Sequence, residues 1–154
     1  STSIFISCLL FDSMFATLPT GSCPKGYSER LGNCFKSFNL HRNYNEAQKT
    51  CNKDGGTLAM PRDAETNAFI VSLIKKDLHY WIGLNDQKDE AVFQWVDGSA
   101  LGKYSAWLHG QPNNASQNED CVCVVIFGGA GKWFDIDCHN KRRFVCQISP
   151  GTSA

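Results

Sequence analysis

His79-Tyr80-Trp81-Ile82-Gly83-Leu84 is the stretch on which the reading of this chain turns. From His79 to Gly83 it is short, apolar and aromatic, which reads as a strand. The chain changes character on either side of it. Before it, Tyr44 to Asp54 places Tyr44, Ala47, Gln48 and Cys51 at helical spacing and stops at Gly55-Gly56. Asp63 to Asp77 opens on an aspartate suited to cap a helix, with Thr66 behind it. Ala68, Phe69, Val71, Leu73 and Ile74 give that segment an apolar face, and Lys75-Lys76 suit the C-terminal end of a helix dipole. After the WIGL stretch come short β-like runs: Val92 to Val96, Cys121 to Phe127, Lys132 to Ile136 and Arg143 to Cys146. Helices first and antiparallel strands second read as an α+β fold. Between Val96 and Cys121 lies a long stretch rich in Gly, Asn, Ser and Gln, and a loop of that length inside a compact domain is usually functional.

Composition narrows the class. The chain has 154 residues, 42% of them hydrophobic and 12% aromatic, which is enough for one domain with a real core and excludes a disordered tail. Fifteen basic residues balance fifteen acidic ones, so there is no electrostatic reason to seek nucleic acid or an anionic membrane surface. Eight cysteines point to disulfide staples and a secreted, extracellular setting. Residues 1–22 differ from the rest: Ile4 to Ala16 is apolar, holds no Lys or Arg, and is shorter than the ~20 residues that span a bilayer. It reads as a truncated signal peptide in preference to the stump of a membrane anchor, so no membrane span is expected. The working domain is residues 23–147, and 148–154 form a small polar tail. No nucleophile elbow, HExxH, P-loop or dinucleotide fingerprint is present, and the four histidines are scattered without metal spacing, so an enzyme is not expected.

Trp81-Ile82-Gly83-Leu84 resembles the WIGL signature of the C-type lectin-like domain family. Around it, in the family's order, stand Cys51, Gln111-Pro112-Asn113, Asn118-Glu119-Asp120-Cys121, Trp133-Phe134-Asp135, Cys138 and Phe144-Val145-Cys146. The resemblance spans residues 23–147. It implies two helices with antiparallel sheets and a long calcium-binding loop. It also implies the disulfides Cys51–Cys146 and Cys121–Cys138, with Cys23–Cys34 closing an N-terminal hairpin as in the family's long form. Spacing alone does not choose among the pairings that six cysteines allow. Cys8 and Cys123 are left over. Either Cys8 leaves with the signal peptide and Cys123 is a small buried hydrophobe, or Cys123 bonds to Cys8 or to a second Cys123 in a disulfide-linked dimer.

Calcium takes about six to eight oxygen ligands, and the resemblance assigns several here. Gln111, Asn113, Glu119 and Asp135 would hold a sugar-site calcium, with a cis-Pro112 turning Gln111 and Asn113 toward one ion. Two neighbouring sugar hydroxyls replace water on such an ion and bond to the same side chains. Carbohydrate contacts are therefore expected at Gln111, Asn113, Glu119, Phe134 and Asp135. Asp86, Glu90, Asn114 and Asp120 fall where some members hold an auxiliary calcium, and the alternative is that Asp86 and Glu90 are solvated loop charges. This chain departs from the family's pattern. Gln111 stands where the mannose-type motif has Glu, and Asn113 where the galactose-type motif has Asp; Gln111 tilts the expectation toward galactose or a mixed specificity. Asn114 replaces a carboxylate. Phe134 replaces an Asn that ligates calcium, and reads either as packing beside Trp133 or as an apolar platform for a sugar face. With one ligand fewer, calcium affinity is expected in the range of about 10⁻⁴–10⁻³ M. Asn114-Ala115-Ser116 is a sequon, making Asn114 a candidate glycosylation site in a secreted chain. The resemblance implies a secreted, calcium-dependent lectin, with a role in innate recognition of glycans. The alternative is a lectin-like domain with a degraded sugar site that binds a protein partner independently of calcium.

Overall fold

The computed structural model describes residues 23–114 and 117–149. Readings that fall on residues 1–22 (the signal peptide and Cys8), on Ala115 and Ser116 of the sequon, and on 150–154 lie outside the described residues. The elements are β1 (Ser28–Arg30), β2 (Asn33–Arg42), α1 (Tyr44–Lys53), β3 (Thr57–Leu58), α2 (Ala64–Leu73), β4 (Tyr80–Asn85), β5 (Gln94–Trp95), β6 (Cys121–Phe127), β7 (Ala130–Ile136) and β8 (Arg142–Ile148).

Both expected helices form, and local chemistry starts each. Asn43 caps α1 by accepting from the Glu46 N–H at 2.9 Å, while its own amide donates to the Glu46 carboxylate at 3.0 Å. Asp63 caps α2 by accepting from the Thr66 N–H at 2.7 Å. Helix α2 ends at Leu73, short of the expected Asp77. Ile74 turns extended, and the Lys75 N–H donates to the Tyr80 hydroxyl at 3.2 Å, so the lysines lie past the helix and not in its last turn.

The order of elements differs from helices first, strands second. The hairpin β1–β2 precedes both helices, and β2 is the longest strand, ten residues. Its burial does not alternate cleanly, and Lys36 lies over the Phe38 ring at 4.6 Å, which masks the period-two signal. The path through the sheet is β1-β2-β8-β4-β6-β7, with β3 added on β8 and β5 on β4. It is mixed and not wholly antiparallel, because β4 and β8 run parallel, Tyr80 beside Arg143 and Trp81 beside Phe144. The run Val92 to Val96 contributes only Gln94–Trp95 as strand.

Each face of this sheet has its own core. On one face Tyr80, Ile82, Leu84, Val122, Val124, Trp133 and Val145 pack with Ile70 of α2. On the other, Trp81, Cys121, Cys123, Phe144 and Cys146 pack with Tyr44, Ala47 and Cys51 of α1. The alternation of side chains along a strand sends neighbours to opposite cores. Gly83 shows why the WIGL stretch needs its glycine: a Cβ there would stand 2.7 Å from the Leu58 carbonyl oxygen. The disulfides are Cys23–Cys34, Cys51–Cys146 and Cys121–Cys138. Cys123 is free and fully buried opposite Phe134 on β7. So buried, Cys123 packs as a small hydrophobe among the described residues, and the alternative bond to Cys8 lies outside them.

Candidate functional site

The long loop is anchored at its base by Trp133. This indole is fully buried, with edge contacts to Trp95, Tyr104 and Trp107 at 5.7–5.8 Å. Its Nε1 donates to the buried Asn67 at 3.0 Å, and the Asn67 amide donates to the Gly131 carbonyl at 2.8 Å, so the polar core is satisfied. The Trp133 N–H donates to the Ala106 carbonyl and the Trp133 carbonyl accepts from the Leu108 N–H, both at 2.8 Å. Strand β7 thus fixes where the loop leaves the body and where Asp135, two residues on, sits beneath it.

Two sets of oxygen-bearing residues meet around one cleft. Its walls include Asp86, Glu90, Pro112, Asn113, Asn114 and Asp135. In the first set, Asp86, Glu90 and Asp120 each present a carboxylate oxygen within 4.8 Å of the others. The Asp86 N–H donates to the Asp120 carbonyl at 3.0 Å, tying the end of β4 to the residue before β6. Asp86 is only 3% exposed; its Oδ2 accepts from the Ala91 N–H at 2.9 Å, whereas its Oδ1 has no partner. Asp120 Oδ1 is likewise buried and unpartnered. Burial pushes the Asp86 carboxyl up to about 6; the Ala91 N–H partly offsets this, and the charges of Glu90 and Asp120 add to it. Buried carboxylate oxygens without donors are costly. A hard divalent cation with oxygen preference satisfies both at once, so these residues fit calcium.

The second set surrounds Asp135, which is 2% exposed. Its Oδ1 accepts from the Asn113 N–H at 3.1 Å and its Oδ2 from the Asn114 N–H at 3.0 Å. The Gln111–Pro112 bond is cis. Gln111 Oε1 accepts from the Asp135 N–H at 3.4 Å, a long bond. The Glu119 N–H donates to Asn114 Oδ1 at 3.0 Å, and Asn114 Nδ2 donates to Glu90 Oε1 at 2.7 Å. Gln111, Asn114 and Asp135 are therefore brought together with the backbone N–H groups of Asn113 and Glu119, and the two sets meet through Asn114. Phe134 is not brought to them. Its ring meets His79 edge-on at 4.8 Å and packs on the core beneath α1, the side of β7 opposite Asp135. His79 is held below its ordinary pKa by burial and by Arg142.

Sequence reasoning missed the parts of the site that act through the backbone or from a distance. Ala91 steadies Asp86 with its N–H and carries no side-chain signal. Asn67 supports Trp133 from α2; a lone amide on an otherwise apolar helix face was the available sign.

The family model of the lectin C-type domain matches residues 41–148. The chain belongs to the C-type lectin domain family. It is 37% identical over 152 residues to a perlucin-like protein of Mytilus galloprovincialis, covering 94% of each chain. It is 36% identical over 131 residues to a C-type lectin mannose-binding isoform of Oxyuranus scutellatus, covering 81% of this chain and 82% of that one. Among solved structures, the cow C-type carbohydrate-recognition domain of CD23, crystallised in the presence of a GlcNAc2Man3 oligosaccharide, superposes with a TM-score of 0.77 at 29% identity. That match covers 84% of this chain and 98% of the other. The family and the fold are those of binding domains, not enzymes. No helix among the described residues of this C-type lectin domain is long and apolar enough to cross a membrane.

Proposed function

We propose that this C-type lectin domain is a secreted, calcium-dependent carbohydrate-binding protein that takes glycans in the cleft between Glu90 and the Gln111-Pro112-Asn113 turn. The observation that carries the reading is that Asp86 and Asp120, each with a buried, unpartnered Oδ1, cluster with Glu90. Such oxygens lack the donors that a purely structural carboxylate has, and a cation supplies what is missing. Asp86, Glu90 and Asp120 would hold an auxiliary ion without the expected Asn114, whose amide is engaged with Glu90 and Glu119. Gln111, Asn113, Glu119 and Asp135 would hold a sugar-site ion and orient the hydroxyls. When bound, calcium supplies open coordination positions for vicinal hydroxyls. The chain's own part is to fix the pair of faces those hydroxyls meet: amide oxygens and N–H groups from Gln111 and Asn113, carboxylates from Glu119 and Asp135. The Gln111-Pro112-Asn113 turn favours galactose or a mixed specificity. The relatives' names, a mannose-binding isoform among them, support glycans as the ligand class. Innate recognition of surface glycans is the role this fits, and avidity between copies is the usual way weak single sites become effective.

One observation favours a second reading. Both Asp135 oxygens and the Gln111 amide oxygen already accept backbone N–H groups. A sugar cage with its oxygens so engaged suits a domain that has turned to a protein partner without calcium. A glycan array in millimolar calcium, repeated with chelator, separates the two. Chelator-sensitive binding to one sugar class supports the lectin, and silence in both, from folded protein, removes it.

A further inference from the structure

Asn114 occupies the junction of the two ligand sets, and every polar group it owns, apart from its carbonyl, is spent on joining them. Its Nδ2 donates to Glu90 of the first set at 2.7 Å, and its Oδ1 accepts from the backbone of Glu119 at 3.0 Å. Its N–H donates to Asp135 at 3.0 Å. Three chain segments therefore meet on one residue: the loop after β4, the end of the long loop, and β7. All three bonds are between protein atoms. A carboxamide carries its donor and its acceptor on separate atoms, so one short side chain can donate to a carboxylate on one side and accept from an N–H on the other. An aspartate in its place would keep the acceptor, lose the donor, and put a fourth carboxylate against Asp86, Glu90 and Asp120. The backbone is also suited to the residue, since Asn114 has φ of +45°, which asparagine enters more readily than most side chains.

We propose that Asn114 is a positioning residue that holds Glu119 and Asp135 in register with Glu90 by hydrogen bonds alone, so that the sugar-site ligands are pre-arranged without an ion on the auxiliary carboxylates. The proposal rests on the assignment of Glu119 and Asp135 to the glycan site. In this chain an amide does the work that a carboxylate could do only through a bound cation. The auxiliary cluster then adds stability when loaded and is not a precondition for the arrangement of the turn.

The test reads the backbone donors that Asn114 is proposed to hold in place. Hydrogen exchange of the Asn113, Asn114 and Glu119 amides is measured by NMR for the wild-type chain, Asn114→Asp and Asn114→Gly, each in chelator and in millimolar calcium. Glycine removes both side-chain bonds at a φ that it adopts freely. Amides of β4, β6 and β8 in the same spectra report whether each variant is folded. The expected result is protection of the three amides in wild type with or without calcium. Asn114→Asp should exchange about tenfold faster in chelator and regain protection in calcium, because aspartate can ligate but cannot donate. Asn114→Gly should exchange fast in both. Wild-type amides that lose protection in chelator overturn the proposal, as do variants protected like wild type in chelator or a glycine variant rescued by calcium. If neither variant folds, the wild-type comparison alone decides. Glycan binding is scored separately on the same samples, so intact protection without any sugar binding would remove the glycan reading and leave the role of Asn114 standing.

Discussion

Asp86 and Asp135 are both aspartates, both buried and both on the wall of the same cleft, and the fold treats them differently. Asp135 has two oxygens and two N–H donors, from Asn113 and Asn114, so its charge is spread over a ready-made set of hydrogen bonds. Asp86 has one donor for two oxygens and two further carboxylates beside it. The difference teaches that burial of a carboxylate does not identify its role; the count of donors does. A fully partnered carboxylate is a scaffold that can also ligate, whereas a half-partnered one among like charges is left with an unmet demand that a cation would satisfy.

That contrast can be broken in several ways. The largest effect is expected from Asp135→Ala, which removes a ligand and leaves two backbone N–H groups without acceptors. Glycan binding on an array or by calorimetry should fall by about a hundredfold or more, and the melting temperature should drop with it, in line with about 1–3 kcal/mol for stranded buried donors. Retained sugar binding would mean that Asp135 is scaffold only.

Asp86→Asn should act in the opposite direction on the apo protein. Removing one of three mutually repelling carboxylates should raise the melting temperature in chelator while cutting calcium affinity, measured by calorimetry, by about tenfold, the loss of one charged ligand. A variant that binds calcium as wild type does would rule out the Asp86–Glu90–Asp120 cluster as an ion site.

The pH dependence sharpens the same point. Asp86 titrates near 6 in the folded chain and in the ordinary carboxylate range when unfolded, so the folded state binds its proton more tightly. Stability from this group is complete below about pH 4 and is lost as pH rises through about 6. Calcium needs the ionised form, so its stabilising effect should show the reverse trend and fade as pH falls through the same value. Melting curves in chelator and in calcium between these limits should diverge with rising pH in wild type and run parallel in Asp86→Asn.

The smallest effects belong to the opposite face of the sheet. Phe134→Ala should lower stability by up to about 3 kcal/mol, the low end for a core Phe because the ring is only partly buried, with glycan affinity changed less than about threefold, because its ring faces away from Asp135. Loss of sugar binding in that variant with a modest change in melting would restore Phe134 to the site. Cys123→Ser should cost about 1 kcal/mol or somewhat more for a hydroxyl in a sealed apolar position and leave migration on a non-reducing gel unchanged.

How much of this was written in the sequence can be argued residue by residue. The two helices were legible because capping is local: Asn43 and Asp63 reach N–H groups three residues away, and apolar spacing does the rest. Strand β2 was not, since its residues serve different neighbours and the Lys36 ammonium lies over the Phe38 ring. The candidate ligand residues were legible as types and in order, through resemblance to an ordered set of motifs. Their state was not. Whether a carboxylate finds zero, one or two donors depends on backbone groups contributed from elsewhere in the chain, as with Ala91 on Asp86 and Asn113 and Asn114 on Asp135. The side of the sheet that Phe134 faces was likewise open until β7 took its register against β6, since a shift of one residue exchanges the faces. Sequence alone determined the family, the helices and the inventory of oxygen ligands, because those follow from short-range chemistry and fixed order. Tertiary structure decided which oxygens are satisfied, which remain unpartnered, and that Asn114 joins the two sets, because hydrogen-bond partners here come from residues far apart in the chain, Asp86 with Asp120 and Glu90 with Asn114 among them.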